Sequence, residues 1–184
     1  MDHLSDSFSP IFLIGYRGSG KSTVARLLAD KLSWHALDMD AEIEARHGKS
    51  IRQIFAEEGE PTFRRFESDL LHEVSSLTKH VIATGGGIVL DRDNRAWLRN
   101  SGHVIYLTGQ PATLWNRILQ DATTAERRPD LTVGGLAEVE HLLSVRDPLY
   151  QECANFMVPV GDRTAEELAD TLANLLTAIS QDES

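Results

Sequence analysis

A glycine-rich octapeptide has the residue types needed to bind phosphate. It reads Gly-Tyr-Arg-Gly-Ser-Gly-Lys-Ser over residues 15–22 and directly follows the apolar run Ile11–Ile14. Apolar residues recur at helical spacing behind it, which predicts a strand-to-helix turn whose backbone N–H groups surround phosphate oxygens. Lys21 is then expected to reach the β- and γ-phosphates, and the Ser22 hydroxyl to bind Mg²⁺. A merely solvated glycine turn is the alternative, and the complete motif disfavours it.

Two carboxylates, Asp38 and Asp40, follow the second apolar segment, residues 34–37. In an extended chain residues two apart share a face, while Met39 between them points away. One carboxylate could hold a Mg²⁺-bound water, and the other could orient or deprotonate an attacking hydroxyl, as phosphoryl transfer requires. Capping of the next helix by either aspartate is the competing interpretation.

Two adjacent arginines, Arg64 and Arg65, open a predicted amphipathic helix. A planar guanidinium binds a carboxylate through two parallel hydrogen bonds, so an arginine here is suited to an anionic ligand. Neighbouring helical residues differ in direction by about 100°, so at most one of the two is expected to face a cleft. Solvated pairing with Glu67 or Asp69 is the alternative.

Two further segments have the composition of ligand-binding loops. Gly85–Gly87 follows a strand-like run, residues 81–84, and would let backbone N–H groups approach a ligand, although three glycines also suit a flexible loop. Arg127 and Arg128 lie in the polar residues 121–135, which we predict to form a lid. A lid arginine could stabilise γ-phosphate charge, whereas a solvated charge pair is the competing interpretation.

These segments need an alternation of strands and helices to position them. Strand-like runs occur at residues 11–14, 34–37, 81–84, 103–107 and 156–160, with helical patterns between them. A helix is predicted over residues 136–145, and a capping box at Thr164–Glu167 precedes the last one. The alternation predicts an α/β fold, a parallel sheet covered on both faces, with ligands at the carboxyl ends of the strands.

Composition limits the choice of partners and compartment. The 184 residues, 41% of them hydrophobic, fit a single domain with a disordered leader at residues 1–9. The net charge of −10 argues against nucleic acid or an anionic membrane as the main partner. A single cysteine, Cys153, and the absence of a signal-peptide pattern or of a run approaching the ~18 apolar residues of a membrane span predict a cytoplasmic protein.

From about Ile11 to Leu176 the chain resembles the shikimate kinases, with several motifs in the order that this family has them. These motifs are the phosphate loop as far as Thr23, Asp38–Asp40, Phe63–Glu67, Gly85–Gly87, Arg127–Pro129 and Arg146–Tyr150. The resemblance implies a P-loop NTPase fold like that of nucleoside-monophosphate kinases, a three-layer α/β/α domain with a five-stranded parallel sheet and a lid. It implies transfer of the γ-phosphate of MgATP to the 3-hydroxyl of shikimate, by a monomer.

The same resemblance implies a role for individual residues. Nucleotide binding falls to Gly18, Ser19, Gly20, Lys21, Ser22, Thr23, Arg117, Arg128 and Arg163, and the Mg²⁺ side to Ser22 and Asp38. Acceptor binding falls to Asp40, Arg64, Gly86, Gly87 and Arg146. Asp40, Lys21 and Arg128 are the implied catalytic residues, with Asp40 activating the attacking hydroxyl.

Other functions remain as alternatives. A related kinase for another hydroxy acid, such as gluconate, would use the same phosphate loop with differently placed acceptor-binding arginines. A nucleotide-dependent switch is a different class, and no Asn-Lys-x-Asp sequence follows any strand to read guanine. An inactive homologue is disfavoured because Lys21, Asp40 and Arg128 are all present.

Overall fold

Five short parallel strands form one sheet in the order β2-β3-β1-β4-β5. The protein is described by a computed structural model covering residues 9–120 and 135–182. The strands are β1 Ile11–Ile14, β2 His35–Asp38, β3 His80–Ala83, β4 His103–Thr108 and β5 Phe156–Pro159. The predicted five-stranded parallel sheet is confirmed, and each strand lies within one residue of its predicted bounds.

Helices connect these strands and cover the sheet. They are α1 Lys21–Leu32, α2 Met39–His47, α3 Ile51–Glu58, α4 Glu60–Val74, α5 Arg92–Ser101, α6 Pro111–Gln120, α7 Gly135–Cys153 and α8 Ala165–Asp182, with a 3₁₀ turn at Ile88–Leu90. Helices α1 and α8 pack together in one layer, while α5 and α7 pack on β4. Within the described residues, no helix is long and apolar enough to span a membrane.

The central strands are largely apolar because neighbouring strands and helices bury both of their faces. All four residues of β1 are at most 1% exposed, as are Val104–Leu107 in β4. The edge strands differ, since Met157 in β5 is 58% exposed and His35 in β2 is also exposed. Val81–Ala83 of β3 are also at most 1% exposed, so β1 and β3, which lead into the two glycine-rich loops, are both anchored in the core.

Local sequence signals set most helix boundaries. Gly48 follows helix α2 and Gly59 follows α3, with φ values of +63° and +84°, a conformation in which glycine commonly ends a helix. The predicted capping box is confirmed, since the Thr164 N–H donates to Glu167 Oε2 at 2.8 Å and the Glu167 N–H to Thr164 Oγ1 at 3.2 Å. The prediction of a helix over residues 136–145 is wrong in extent.

That helix, α7, continues to Cys153 with Pro148 inside it. A proline removes one backbone donor, which normally ends or kinks a helix. Here the buried face continues past the proline at helical spacing, through Leu143, Arg146, Tyr150 and Cys153, so tertiary packing outweighs the local cost. The extension places Arg146 and Tyr150 on one face of the helix, one turn apart.

The structure does not describe most of the predicted leader or most of the predicted lid. Residues 1–8 of the predicted leader and 121–134 of the predicted lid, including Arg128, lie outside the described residues. The division into a single domain with a leader and a lid stays a prediction.

Candidate active site

The loop between β1 and α1 has the backbone that a phosphate-binding loop requires. Gly18 and Gly20 have φ values of +81° and +86°, a backbone conformation that residues other than glycine rarely adopt. A Cβ at Gly18 would also lie 2.7 Å from the Leu114 carbonyl oxygen. Helix α1 begins immediately afterwards at Lys21, so its unpaired N-terminal N–H groups adjoin the loop. The glycine spacing therefore builds an anion-binding turn in this fold.

Lys21 is folded back across that loop. Its Nζ donates to the carbonyl oxygens of Gly15 at 2.9 Å and Tyr16 at 3.0 Å, and the residue is only 9% exposed. Ser19 is fully buried beneath it, and its Oγ lies 3.4 Å from the same Nζ. The backbone thus fixes the ammonium group beside the N-terminus of α1, as expected of a phosphate-binding lysine.

The first turn of α1 also presents two hydroxyl groups to solvent. Ser22 and Thr23, predicted to contact the nucleotide and its metal, are both exposed. Asp38, the other predicted metal residue, is half-buried at the end of β2. A hydroxyl and a carboxylate oxygen are ligand types that Mg²⁺ prefers, so this donor set fits that ion.

Two of the predicted acceptor-binding side chains, Arg64 and Arg146, converge on the glycines that follow β3. A Cβ on Gly87 would lie 2.7 Å from Arg64 Nη2, so the Arg64 guanidinium packs directly on Gly87. The neighbouring Gly86 carbonyl oxygen accepts a hydrogen bond from Arg146 Nη1 at 3.4 Å. Two arginines from separate helices, α4 and α7, are therefore brought to adjacent residues of one loop.

This loop also touches the phosphate loop. A Cβ on Gly86 would lie 3.5 Å from the Gly15 carbonyl oxygen and 3.6 Å from the Arg17 backbone nitrogen, which is van der Waals contact. The carboxyl ends of β1 and β3, which are paired strands, bring the two loops together. An acceptor held at Gly86 and Gly87 would therefore lie next to bound phosphates.

A buried carboxylate holds Arg64 in this region. Arg64 pairs with Glu67, which is 1% exposed, and with Glu60 at 2.8 Å. The predicted pairing of Arg64 with Glu67 is present, but on the buried face of α4, where it orients the guanidinium toward Gly87. Arg65 is exposed, as expected if at most one of the adjacent arginines faces the cleft.

Arg146 has a different environment. It is 6% exposed, its Cζ lies 5.8 Å from the centroid of the Tyr16 ring, and its buried Nε has no hydrogen-bond partner among the described residues. Burial raises the pKa of Tyr16, with the nearby Arg17 and Arg146 charges acting in the opposite direction. A buried N–H of this kind would gain a hydrogen bond from an anionic ligand.

Asp38 and Asp40 lie at the same edge of the sheet but not in an extended chain. The strand ends at Asp38, whose Oδ1 accepts from the Ala41 N–H at 3.0 Å and so caps α2. Asp40 is half-buried in the first turn of that helix. The extended-chain argument for a shared face is therefore wrong, and the capping interpretation is correct for Asp38. Because Asp38 is in register with Ala83, α2 begins beside the strand that leads into the acceptor glycines.

On the opposite side of the phosphate loop, Arg117 bridges two segments predicted to contact nucleotide. Its Nη2 donates to the carbonyl oxygens of Gly161 at 3.0 Å and Arg163 at 2.9 Å. Its Nη1 lies 3.9 Å from the position that a Cβ on Gly20 would occupy. Arg117 and the Arg163 backbone therefore lie beside the loop, while the Arg163 side chain is half-buried.

Sequence reasoning assigned no role to Glu138 or Tyr150, two residues of α7 that shape the site. Arg17 Nη2 lies 3.5 Å from Glu138 Oε1, and Glu138 is 1% exposed, so the phosphate loop is tied to the first turn of α7. Tyr150, buried on the same helix, donates its hydroxyl hydrogen to the Gly86 carbonyl oxygen. The helical spacing of Arg146 and Tyr150 was the available signal, but it becomes visible only once α7 is known to continue past Pro148.

The sheet order, the phosphate loop and Lys21 define an α/β nucleotide-binding domain of the P-loop type. The sequence profile of the family described as shikimate kinase matches residues 17–177. A shikimate kinase from Rhodopirellula baltica is 46% identical over 159 residues, covering 86% of this chain and 85% of that protein. One from Oleidesulfovibrio alaskensis is 43% identical, covering 91% and 97%. The chain belongs to the shikimate kinase family.

Solved structures agree with this assignment. A shikimate kinase from Acinetobacter baumannii in complex with shikimate superposes with a TM-score of 0.87 at 36% identity, covering 94% of this chain and 95% of that one. A gluconokinase from Sinorhizobium meliloti has a TM-score of 0.61 at 17% identity, which shows a shared fold only. The chain therefore shares its fold with both kinases, and it shares sequence with the shikimate kinase.

Proposed function

We propose that this protein is a shikimate kinase, which transfers the γ-phosphate of MgATP to the 3-hydroxyl of shikimate and releases ADP and shikimate 3-phosphate. The observation that carries the proposal is the meeting of Arg64 and Arg146 at Gly86 and Gly87, in contact with the phosphate loop. Two guanidinium groups at one backbone turn suit a carboxylate, and their position beside the phosphate loop suits a carboxylate-bearing phosphoryl acceptor.

On the acceptor side, the arginines bind and orient the substrate. Arg64, already fixed by Glu67, offers its remaining N–H groups, and Arg146 offers the unsatisfied Nε. Because both side chains are largely buried, charge-assisted bonds to a carboxylate form with little loss of side-chain freedom. This arrangement supports productive positioning of the acceptor hydroxyl as well as affinity.

On the nucleotide side, the loop N–H groups, the N-terminus of α1 and Lys21 surround the transferring phosphate and stabilise its charge. Mg²⁺, when bound, would supply positive charge that stabilises the phosphate oxygens. Ser22 and Asp38 are the residues that would hold the ion, directly or through water. Arg117 and Arg163 form the proposed contact with the nucleotide base.

Asp40 is the proposed partner of the acceptor hydroxyl, which it orients or deprotonates as the phosphoryl group transfers. Its place in the first turn of α2, beside the strand that precedes the acceptor glycines, supports this role. Arg128 is the proposed lid arginine that stabilises γ-phosphate charge. We further propose that the enzyme acts in the cytoplasm and that it is a monomer. Sedimentation analysis of the purified protein would test the monomeric state.

A panel of acceptors tests the proposed reaction. Purified protein with MgATP should release ADP when shikimate is added, and should release much less with gluconate or with nucleosides. Preferential turnover of gluconate would replace the proposal with its closest alternative. Nucleotide hydrolysis that no acceptor stimulates, with equal affinity for GTP and ATP, would instead favour a nucleotide-dependent switch.

A further inference from the structure

We infer that Tyr150 is a positioning residue for the acceptor, because its hydroxyl fixes the orientation of the peptide that joins Gly86 to Gly87. The inference rests on the proposed function, since that peptide belongs to the proposed acceptor site. Tyr150 itself lies beneath the peptide and is fully buried. Its effect on the acceptor is therefore transmitted through the backbone.

The Gly86 carbonyl group is held from one side by α7. The Tyr150 hydroxyl and Arg146 Nη1 both donate to its oxygen, and the two donors are one helical turn apart. The arginine bond is long, at 3.4 Å, so the hydroxyl is the stronger of the two anchors. The carbonyl therefore points toward α7.

Peptide planarity carries this constraint to the next residue. In a trans peptide the C=O and the N–H point in opposite directions, so the Gly87 N–H is directed away from α7. Arg64 packs on Gly87, so the Gly87 N–H group and the Arg64 guanidinium lie close to each other. A carboxylate bound there would meet a backbone donor whose direction Tyr150 sets.

The flanking residues make such an anchor necessary. Glycine adopts many backbone conformations at similar cost, so a peptide between two glycines has little intrinsic preference for one orientation. Without the hydroxyl, the long bond from Arg146 would be the hydrogen bond left to this carbonyl among the described residues, and the Gly87 N–H would sample other directions. Acceptor binding would then have to include the cost of ordering this peptide.

The ring of Tyr150 is fixed independently of its hydroxyl. It packs against the ring of Tyr106 with centroids 4.8 Å apart, and both rings are buried. The Tyr106 hydroxyl donates instead to Asp147 Oδ1 at 2.7 Å. The pair of packed rings thus provides a matched control, since each tyrosine can lose a buried hydroxyl while its ring remains, and it is the Tyr150 hydroxyl that bonds Gly86.

The experiment compares Tyr150→Phe with Tyr106→Phe in steady-state kinetics and thermal unfolding. We expect Tyr150→Phe to raise the KM for shikimate by about five- to tenfold, the effect of one lost hydrogen bond, and to leave the KM for ATP within about twofold. Tyr106→Phe should leave both KM values within about twofold. Both variants should lower the Tm by a few degrees, so stability alone would not separate them.

Several results would overturn the inference. These are an unchanged shikimate KM in Tyr150→Phe, an equal rise in both KM values, or the same shikimate effect in Tyr106→Phe. Wild-type protein that does not phosphorylate shikimate would refute the proposed function and this inference with it, whereas active wild type with an unaffected variant refutes the inference alone.

A measurement on the wild type removes dependence on the variant's folding. In ¹⁵N-labelled protein, the Gly87 amide proton should shift downfield when shikimate is added, because it gains a charged acceptor. A Gly87 resonance that stays in place at saturating shikimate would also overturn the inference.

Discussion

Removing Arg64 tests whether the acceptor arginine binds substrate or only supports the fold. In Arg64→Met the side chain keeps its apolar stem but loses the guanidinium that packs on Gly87. Loss of charge-assisted bonds in a desolvated site costs about 2–5 kcal/mol of binding, or roughly 30- to 4,000-fold in the Kd for shikimate. ATP affinity should change little, because Arg64 contacts the acceptor loop.

The same substitution also leaves Glu67 without its partner guanidinium. Removing the Arg64 guanidinium from a carboxylate that is 1% exposed should cost at most about 3–5 kcal/mol of stability, or at most about 6–20 °C in Tm for a chain of this size. The double variant Arg64→Met/Glu67→Gln removes both charges and should recover most of this Tm. It should not recover shikimate binding.

Calorimetric titration with shikimate and thermal unfolding of both variants separate the two effects. Arg65→Ala is the matched control, because this neighbouring arginine is exposed and should leave Kd and Tm unchanged. The reasoning is refuted if Arg64→Met binds shikimate within about threefold of wild type. It is also refuted if the double variant recovers affinity together with stability, because Arg64 would then act only through the fold.

Other substitutions test separate steps of the mechanism. Asp40→Asn should lower kcat by about 10²–10⁴ while the KM for ATP stays constant, and an unchanged kcat would contradict its role. Arg146→Met should abolish the Tm increase caused by shikimate without lowering the Tm of the free protein as far as Arg64→Met does; a retained increase would count against it. Glu138→Gln should lower Tm by a few degrees because the pair with Arg17 loses its negative charge, and unaltered thermal unfolding would show the pair to be unimportant. Cys153, whose pKa burial raises to about 11, should remain a neutral thiol at pH 8 and react with iodoacetamide only on unfolding; rapid labelling of native protein would contradict this.

The phosphate loop was predictable because its requirements are local. Each glycine with positive φ, and the lysine after the last one, follows from the chain's own conformation at one turn. The central strands were predictable for a similar reason, since full burial requires a continuous apolar run such as Ile11–Ile14. Both signals are contained in a few consecutive residues.

The acceptor side was less predictable because it depends on contacts between distant elements. Nothing in the sequence near Glu67 or Glu138 distinguishes a buried carboxylate from a solvated one, and burial follows only from helix packing. The spacing of Asp38 and Asp40 suggested a shared face, but the strand ends at Asp38 and Asp40 lies in the first turn of α2. The family resemblance nevertheless gave Arg64 and Arg146, whose meeting point, at Gly86 and Gly87, the structure supplies.

Helix α7 connects the two halves of the proposed reaction. Its first turn holds the phosphate loop through Glu138 and Arg17, and its middle turns hold the acceptor loop through Arg146 and Tyr150. These contacts extend over more than three helical turns of one element, so the distance between phosphate and acceptor is set by a rigid helix. In-line transfer depends on that distance to within about an ångström. A helix that continues past Pro148 is therefore a requirement of the proposed chemistry, because a helix ending at residue 145 would leave the acceptor loop without either anchor.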